Sequence, residues 1–290
     1  MKQKNIVFFS VLLFFAALTM TLYPVISNYV NQKYASEIQT AYQEIVAQTD
    51  DSALEEARAQ AAAYNQALIP GATEAYSQEQ LASAARDYDT LLDIAGTGIM
   101  GYVRIPKISV DLPIYHGTEA EELERGVGHL LGSSLPIGGE STHTILSGHS
   151  GMASQKMFTD LEQLTLGDVF CLDMLGETLC YQVTAINTVE PHDTSLLGIA
   201  SGEDLCTLVT CTPYGINSHR LLVTGSRIPY EAAEVIAEET QETEEAQSTW
   251  EEKYIEGLIY GILAALVLIL LVAILRQIAN NNGGGAYAAK

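Results

Sequence analysis

At 290 residues, 48% hydrophobic and 17% charged, the chain has the composition of a folded protein and the length for one sizeable core with accessory segments. Its 14 Lys and Arg stand against 36 Asp and Glu, a formal charge of −22, which argues against the clustered cations that nucleic-acid binding needs. Such a surface suits solubility and basic partners.

No residue between Lys4 and Lys33 is charged, and the apolar heart of this stretch runs from Ile6 to about Ile26. That is close to the roughly 20 residues that span a bilayer as a helix. A cleaved signal peptide would have a shorter apolar run and a small-x-small cleavage site; no clear site precedes Asn28, so the segment reads as an uncleaved anchor. Residues 35 to about 68 read as helix, dense in Ala, Glu and Gln and free of Gly and Pro, with Thr49-Asp50-Asp51-Ser52 dividing two stretches and Pro70-Gly71 closing them. Residues 71–98 are mixed and polar. Ser77, with Gln80 three residues on, has the form of a capping box and predicts a short helix.

From Ile99 the pattern changes to short β-type runs at regular spacing, as in a barrel or sandwich. The runs are Met100–Ile105, Val110–Tyr115, His143–Ser147, Val169–Leu175, Thr178–Val189, Leu205–Thr212 and Arg220–Ser226. Residues 231–252 hold nine Glu and no Lys or Arg, which predicts a solvated acidic tether. A second uncharged apolar run, Gly257–Leu275, ends at Arg276 and is the second candidate span. With Lys2 and Lys4 before the first span and Arg276 and Lys290 after the second, the positive-inside rule puts both tails in the cytoplasm. Everything between then lies outside, where disulfides persist.

The four cysteines separate by position. Cys171 and Cys180 flank Met174-Leu175-Gly176-Glu177, which predicts a hairpin with Leu175-Gly176 at its tip. Counting back from that tip, positions 171 and 180 face each other at a non-hydrogen-bonded pair, where Cα atoms come close enough for a disulfide. Cys206 and Cys211 share one strand, five residues apart, and point to opposite faces. Cys206 lies in an apolar run and reads as core. Cys211 ends the strand at Thr-Cys-Thr-Pro-Tyr-Gly, where exposure rises, and is the candidate nucleophile.

A cysteine nucleophile needs a base or a lowered pKa, and a donor for the oxyanion. Arg220 begins the next strand and, if the two strands form a hairpin, sits beside or opposite Cys211. Six histidines compete as base. His149, in a loop between Gly148 and Ser150-Gly151, stands first; His143 and His219 are its rivals, and local pattern leaves the choice open.

At this point a resemblance enters. Ile145-Leu-Ser-Gly-His149-Ser-Gly, continuing to Met157-Phe-Thr-Asp-Leu161, resembles the catalytic-histidine segment of sortases. Thr207-Leu-Val-Thr-Cys211-Thr-Pro-Tyr-Gly, followed by Asn217-Ser-His-Arg220-Leu-Leu-Val223, is similar to that family's TLxTC segment and downstream arginine. Gly101-Tyr-Val-Arg-Ile-Pro106, Leu112-Pro-Ile-Tyr-His-Gly117 and Gly167-Asp-Val-Phe170 support it, so that the likeness covers about residues 99–228. The resemblance implies a mainly-β, eight-stranded sortase-type barrel with an N-terminal helical extension and two transmembrane helices. It also implies a ping-pong transpeptidation with Cys211 as nucleophile, His149 as acid and base, and Arg220 stabilising the oxyanion or positioning substrate.

The two spans and the long helical segment resemble the class C, pilus-assembling group. That likeness implies LPXTG-bearing secreted proteins such as pilins as partners, a pilin lysine as acceptor, and a cell-surface location on the membrane. Anchoring of surface proteins to a cell-wall precursor is the alternative reaction, and a non-catalytic adhesin or receptor ectodomain the alternative class. The chemistry requires no cofactor, and no motif supports calcium or another metal. Class C members often carry a lid with an Asp-Pro-aromatic motif. Here the nearest match is Glu74-Ala75-Tyr76, with no proline between 71 and 98, which makes Tyr76 the candidate plug. The expected organisation is therefore 1–30 cytoplasmic tip and anchor, 31–98 helical neck and lid, 99–230 catalytic barrel, 231–254 acidic tether, 255–276 second membrane helix and 277–290 cytoplasmic tail.

Overall fold

Eight strands close into a barrel in the order β1-β2-β3-β4-β7-β8-β6-β5. They are β1 (Ile99–Ile105), β2 (Val110–His116), β3 (Val127–His129), β4 (Thr142–Ser147), β5 (Val169–Met174), β6 (Glu177–Val189), β7 (Asp204–Thr212) and β8 (His219–Ile228). Seven fall on runs whose pattern predicts a strand. The exception is β3, three residues long, too short to show an alternation. The computed structural model describes residues 2–69, 88–152, 155–243 and 253–265. The chain divides into a unit of residues 22–247, which holds the barrel, and a smaller one of residues 1–21 and 248–290.

Two neighbouring pairs are parallel, β2 with β3 and β4 with β7; the rest are antiparallel. A parallel partner cannot be reached by a hairpin. Accordingly a short helix, α3 (Ala120–Arg125), intervenes between β2 and β3, and the β5–β6 hairpin is inserted between β4 and β7. Alternate residues such as Val103 and Ile105, Cys206 and Leu208, and Leu221 and Val223 fill the interior. Each fully buried aliphatic side chain contributes about 1.5–3 kcal/mol.

The outer faces are covered as well, which explains why β1 is buried along nearly its whole length. The helix α1 (Lys2–Gln48) sets Tyr42 and Val46 against Tyr102 and Tyr115, and α2 (Asp51–Leu68) follows after a break at Thr49-Asp50. Buried Asn65 of α2 donates to the Leu135 carbonyl at 3.1 Å and accepts the Leu135 N–H at 2.7 Å, a paired contact that fastens the helical neck to the barrel. At the β5–β6 tip, Leu175 (φ 49°) and Gly176 (φ 81°) both have positive φ, as a type I′ hairpin turn requires. The resulting register pairs Cys171 with Cys180, and the two are joined by a disulfide with Cα atoms 4.1 Å apart.

Charge alone reads residues 231–254 as a solvated tether. Instead, the segment opens as α4 (Tyr230–Thr243), which packs Ala233 and Ile236 over Val169 and the disulfide. Spacing of i, i+3 puts these two on one helical face, a period that counting glutamates does not register. Tyr76 and the capping box at Ser77 lie outside the described residues. So does the second candidate span beyond residue 265, whose described part, residues 257–265, is helical. Among the described residues no single helix is long and apolar enough to cross a membrane; Leu12–Tyr23 and Ile26–Gln48, divided around Pro24, meet that test only together.

Where the chain re-enters the described structure, Tyr88 docks on β3. Its hydroxyl lies 2.8 Å from Nδ1 of His129 and accepts the Gly117 N–H at 3.0 Å. Nε2 of His129 faces the Ser134 carbonyl at 2.9 Å, an acceptor only, so Nε2 carries the proton and Nδ1 accepts from Tyr88. Complete burial pushes the pKa of His129 down to about 4. With the folded value below the unfolded one, this stabilisation is present above pH 6.5 and lost as the pH falls towards about 4, a change of about 3 kcal/mol. Urea unfolding at stepped pH should show that loss, and His129→Gln should be less stable at pH 7 and flatter across the same window.

Candidate active site

β7 delivers Cys211 to the rim of the barrel. Along it Cys206 and Leu208 face the interior, while Val209 and Cys211 are half-buried and belong to the outward set. Antiparallel pairing with β8 puts Arg220 directly opposite Cys211, and Arg220 is in turn opposite Val189 of β6. On the other side, parallel β4 pairs Ser147 with Val209. The ladder extends one step further, Gly148 N–H donating to the Val209 carbonyl at 3.0 Å, so His149 leaves the sheet at the level of Cys211. Residues 149, 211 and 220 thus stand side by side at one end of three adjacent strands.

The His149 turn is held by its neighbours. The Thr210 hydroxyl donates to the Gly148 carbonyl at 2.7 Å, and Phe158 N–H donates to the His149 carbonyl at 3.0 Å. The Phe158 ring fills the space where a Cβ on Gly148 would stand, 2.7 Å from its nearest atom, so only glycine fits there. Gly151 (φ +79°) donates its N–H to Thr159 Oγ1 at 3.1 Å. The exposed ring of Tyr214, from the turn after Cys211, lies 3.1 Å from where a Gly151 Cβ would be. Sequence pattern marks Gly148 and Gly151 only as loop residues. Phe158 and Thr210 escape it because each acts through a contact with a separate segment.

The rival histidines are otherwise engaged. His143 is buried, with Nδ1 2.9 Å from the Gly198 carbonyl and Nε2 2.7 Å from Thr207 Oγ1, and burial lowers its pKa. It pairs with Leu205, far down β7 from Cys211. His219 pairs with Thr212 and so alternates to the other side of the ladder from Arg220; its Nε2 is 3.4 Å from Glu190. The His149 ring hydrogen-bonds to no other described residue. Arg220 Nη1 donates to the carbonyls of Asn217 at 3.3 Å and His219 at 3.0 Å, which orients its fork at the rim.

Cys206 is fully buried, and burial pushes its thiol well above the usual range. A cleft of about 730 Å³ lies elsewhere, between α1 and the β1–β5 face, lined by Tyr42, Tyr102 and Asp111. It is opposite β7 in the ring and touches none of the candidate catalytic residues. Among the described residues no group of three His, Cys, Asp or Glu could hold a metal ion. Arrangement and burial together lead to a simple expectation for the thiols. Under non-reducing conditions, iodoacetamide and mass spectrometry should find one alkylated cysteine per folded chain, Cys211, with Cys206 reacting only after unfolding; rapid labelling of Cys206 would contradict the buried assignment.

Residues 103–228 match the family described as Sortase domain. Sortase D of Bacillus subtilis (strain 168) is 32% identical over 131 residues, which are 44% of this chain and 63% of that protein. Sortase A of Streptococcus agalactiae serotype III (strain NEM316) is 29% identical over 117 residues, 39% of this chain and 47% of that one. The chain therefore spans less than two thirds of these curated relatives. Among solved structures, sortase C1 from Streptococcus agalactiae is similar at 45% identity and TM-score 0.62, covering 67% of this chain and 98% of that one. Sortase C of Streptococcus pneumoniae is similar at 41% identity and TM-score 0.59, covering 67% and 97%. With the barrel, its strand order and these likenesses together, the chain belongs to the sortase family and is most like its class C members.

Proposed function

We propose that this protein is a sortase transpeptidase whose catalytic residues are Cys211, His149 and Arg220. The observation that carries the reading is the three-strand register, which sets a half-buried thiol opposite a permanent cation and level with an unengaged imidazole. In this reading the Cys211 thiolate attacks the Thr–Gly carbonyl carbon of an LPXTG-like signal. Arg220 donates to the oxygen as it becomes negative, in the manner of an oxyanion hole. The C–N bond then breaks, protonated His149 gives its proton to the leaving amine, and a thioester remains on Cys211. An incoming amine returns a proton to His149 and attacks the thioester; the C–S bond breaks, the electron pair goes back to sulfur, and a new amide leaves.

The likeness to class C sortases and the N-terminal helical region favour a pilin lysine as the incoming amine, and hence pilus polymerisation. Anchoring of surface proteins to a cell-wall precursor uses the same three residues, so the acceptor and not the triad separates the two. We further propose that both apolar segments anchor the chain in the membrane with the barrel on the extracytoplasmic side. Exposed Leu12, Leu13, Phe14 and Phe15 support this, since such a run has no stable place in water. The domain boundaries around the barrel, 99–230, and a lid centred on Tyr76 belong to the same proposal.

Mass spectrometry of the enzyme with a panel of sorting peptides should find an acyl adduct on Cys211, absent in Cys211→Ala. Arg220→Ala should lower kcat/KM by about 10²–10³-fold, the usual effect of losing an oxyanion donor. A non-catalytic ectodomain would show no adduct, and Cys211→Ala would leave surface display unchanged. Purified pilin should be converted to a ladder of covalent multimers; no ladder, with transfer to a glycine-type amine instead, would favour the wall-anchoring alternative.

A further inference from the structure

Consecutive residues on β7 face different neighbours. Cys211 belongs to the outward set, whereas Thr212, 8% exposed, turns the other way and donates its hydroxyl to Glu162 Oε1 at 2.5 Å. Glu162 lies on the 3-10 turn Leu161–Gln163, at the end of the segment whose Phe158 and Thr159 hold the His149 turn. It is exposed, so its second oxygen can meet a solute. The other carboxylates near this rim have partners: Asp160 is 3.3 Å from Lys156, and Glu190 is 3.4 Å from His219. Glu162 has no cationic partner among the described residues. Across the thiol stands the opposite charge, Arg220, on β8. An ammonium nearing Cys211 is therefore repelled from the β8 side and attracted from the Glu162 side.

We propose that Glu162 directs the acceptor: its carboxylate receives the ammonium of a lysine-type amine on the barrel-end side of Cys211, while the acyl donor lies on the outward face. This rests on the sortase reading above and deepens it, because it assigns donor and acceptor to different sides of one strand. The ammonium docks on Glu162 and releases one proton to solvent; the freed amine attacks the thioester carbon and gives a second proton to neutral His149. The C–S bond breaks with its electron pair on Cys211, and the proton on His149 later leaves with the next donor's amine. Glu162 enters no bond-making step.

The full-length enzyme supplies the test through Glu162→Gln, which keeps an oxygen for the Thr212 hydroxyl and removes the charge. The acyl-enzyme is first formed with a sorting peptide and quantified by mass spectrometry. It is then resolved either by Nα-acetyl-lysine amide, cationic at pH 7, or by hydroxylamine, largely neutral there. For the lysine amide, KM should rise about fivefold in the variant, with a difference that shrinks at high salt. The amount of acyl-enzyme and the hydroxylamine rate should stay near wild type. Equal losses with both amines would reduce Glu162 to a positioning residue for the β7 end and overturn the proposal, as would an unchanged KM for the lysine amide. A wild type that forms no acyl-enzyme before any amine is added would sink the sortase reading, and this one with it.

Discussion

The register between β4 and β7 is the constraint on which the site depends. Ser147 pairs with Val209, and a slip of one residue would turn the outward set of β4 inward and carry His149 away from Cys211. Backbone ladders alone tolerate slippage, so side chains must hold the register. A polar row does so lower in the same sheet, running from His143 Nε2 to Thr207 Oγ1 at 2.7 Å and on to Thr224 Oγ1 at 2.8 Å, across β4, β7 and β8. At the upper end, the Thr210 hydroxyl closes on the Gly148 carbonyl. His143, one of the rivals for catalytic base, is thus a staple for the strands that carry the site.

The accessory elements make sense against this sheet. α1 and α2 cover the β1–β2 side, and α4 covers the β5–β6 hairpin with its disulfide. Among the described residues, the outward face of β4, β7 and β8 receives a smaller cluster, where Ile145 and Leu222 meet Leu197 from the β6–β7 connection. That cluster dries the middle of the three strands. A half-buried thiol at such an edge is accessible to a peptide yet flanked by protein, a setting in which a neighbouring cation acts more strongly than in water.

Strand alternation adds a second division. Cys211 and Thr212 look in opposite directions, so under the proposed reaction the thiol would meet one reactant on the outer face while the barrel end, with Glu162, Thr159 and the His149 turn, presents a separate surface. The proposed ping-pong reaction would bring two substrates to one sulfur, and a strand end is a place where two faces converge on a single residue.

Much was legible in the chain itself. Alternation and turn residues marked seven of the strands, the Leu175-Gly176 tip predicted the pairing of Cys171 with Cys180, and strand parity assigned Cys206 to the core and Cys211 to the rim. The motif around His149 marked the loop that stands level with Cys211. These are local properties, written in a period of two or in a short conserved-looking string. Three things were decided only by the tertiary structure. β3 is too short to carry a pattern. The packed helix at 230–243 hides its apolar face under a high count of glutamates. The contacts of Thr210 and Phe158 with the His149 turn, and of Glu162 with Thr212, run between segments that sequence distance separates. A parallel ladder between β4 and β7, with a whole hairpin inserted between them, fixes those contacts by register, and register between distant strands is a property of the closed barrel rather than of any stretch of its sequence.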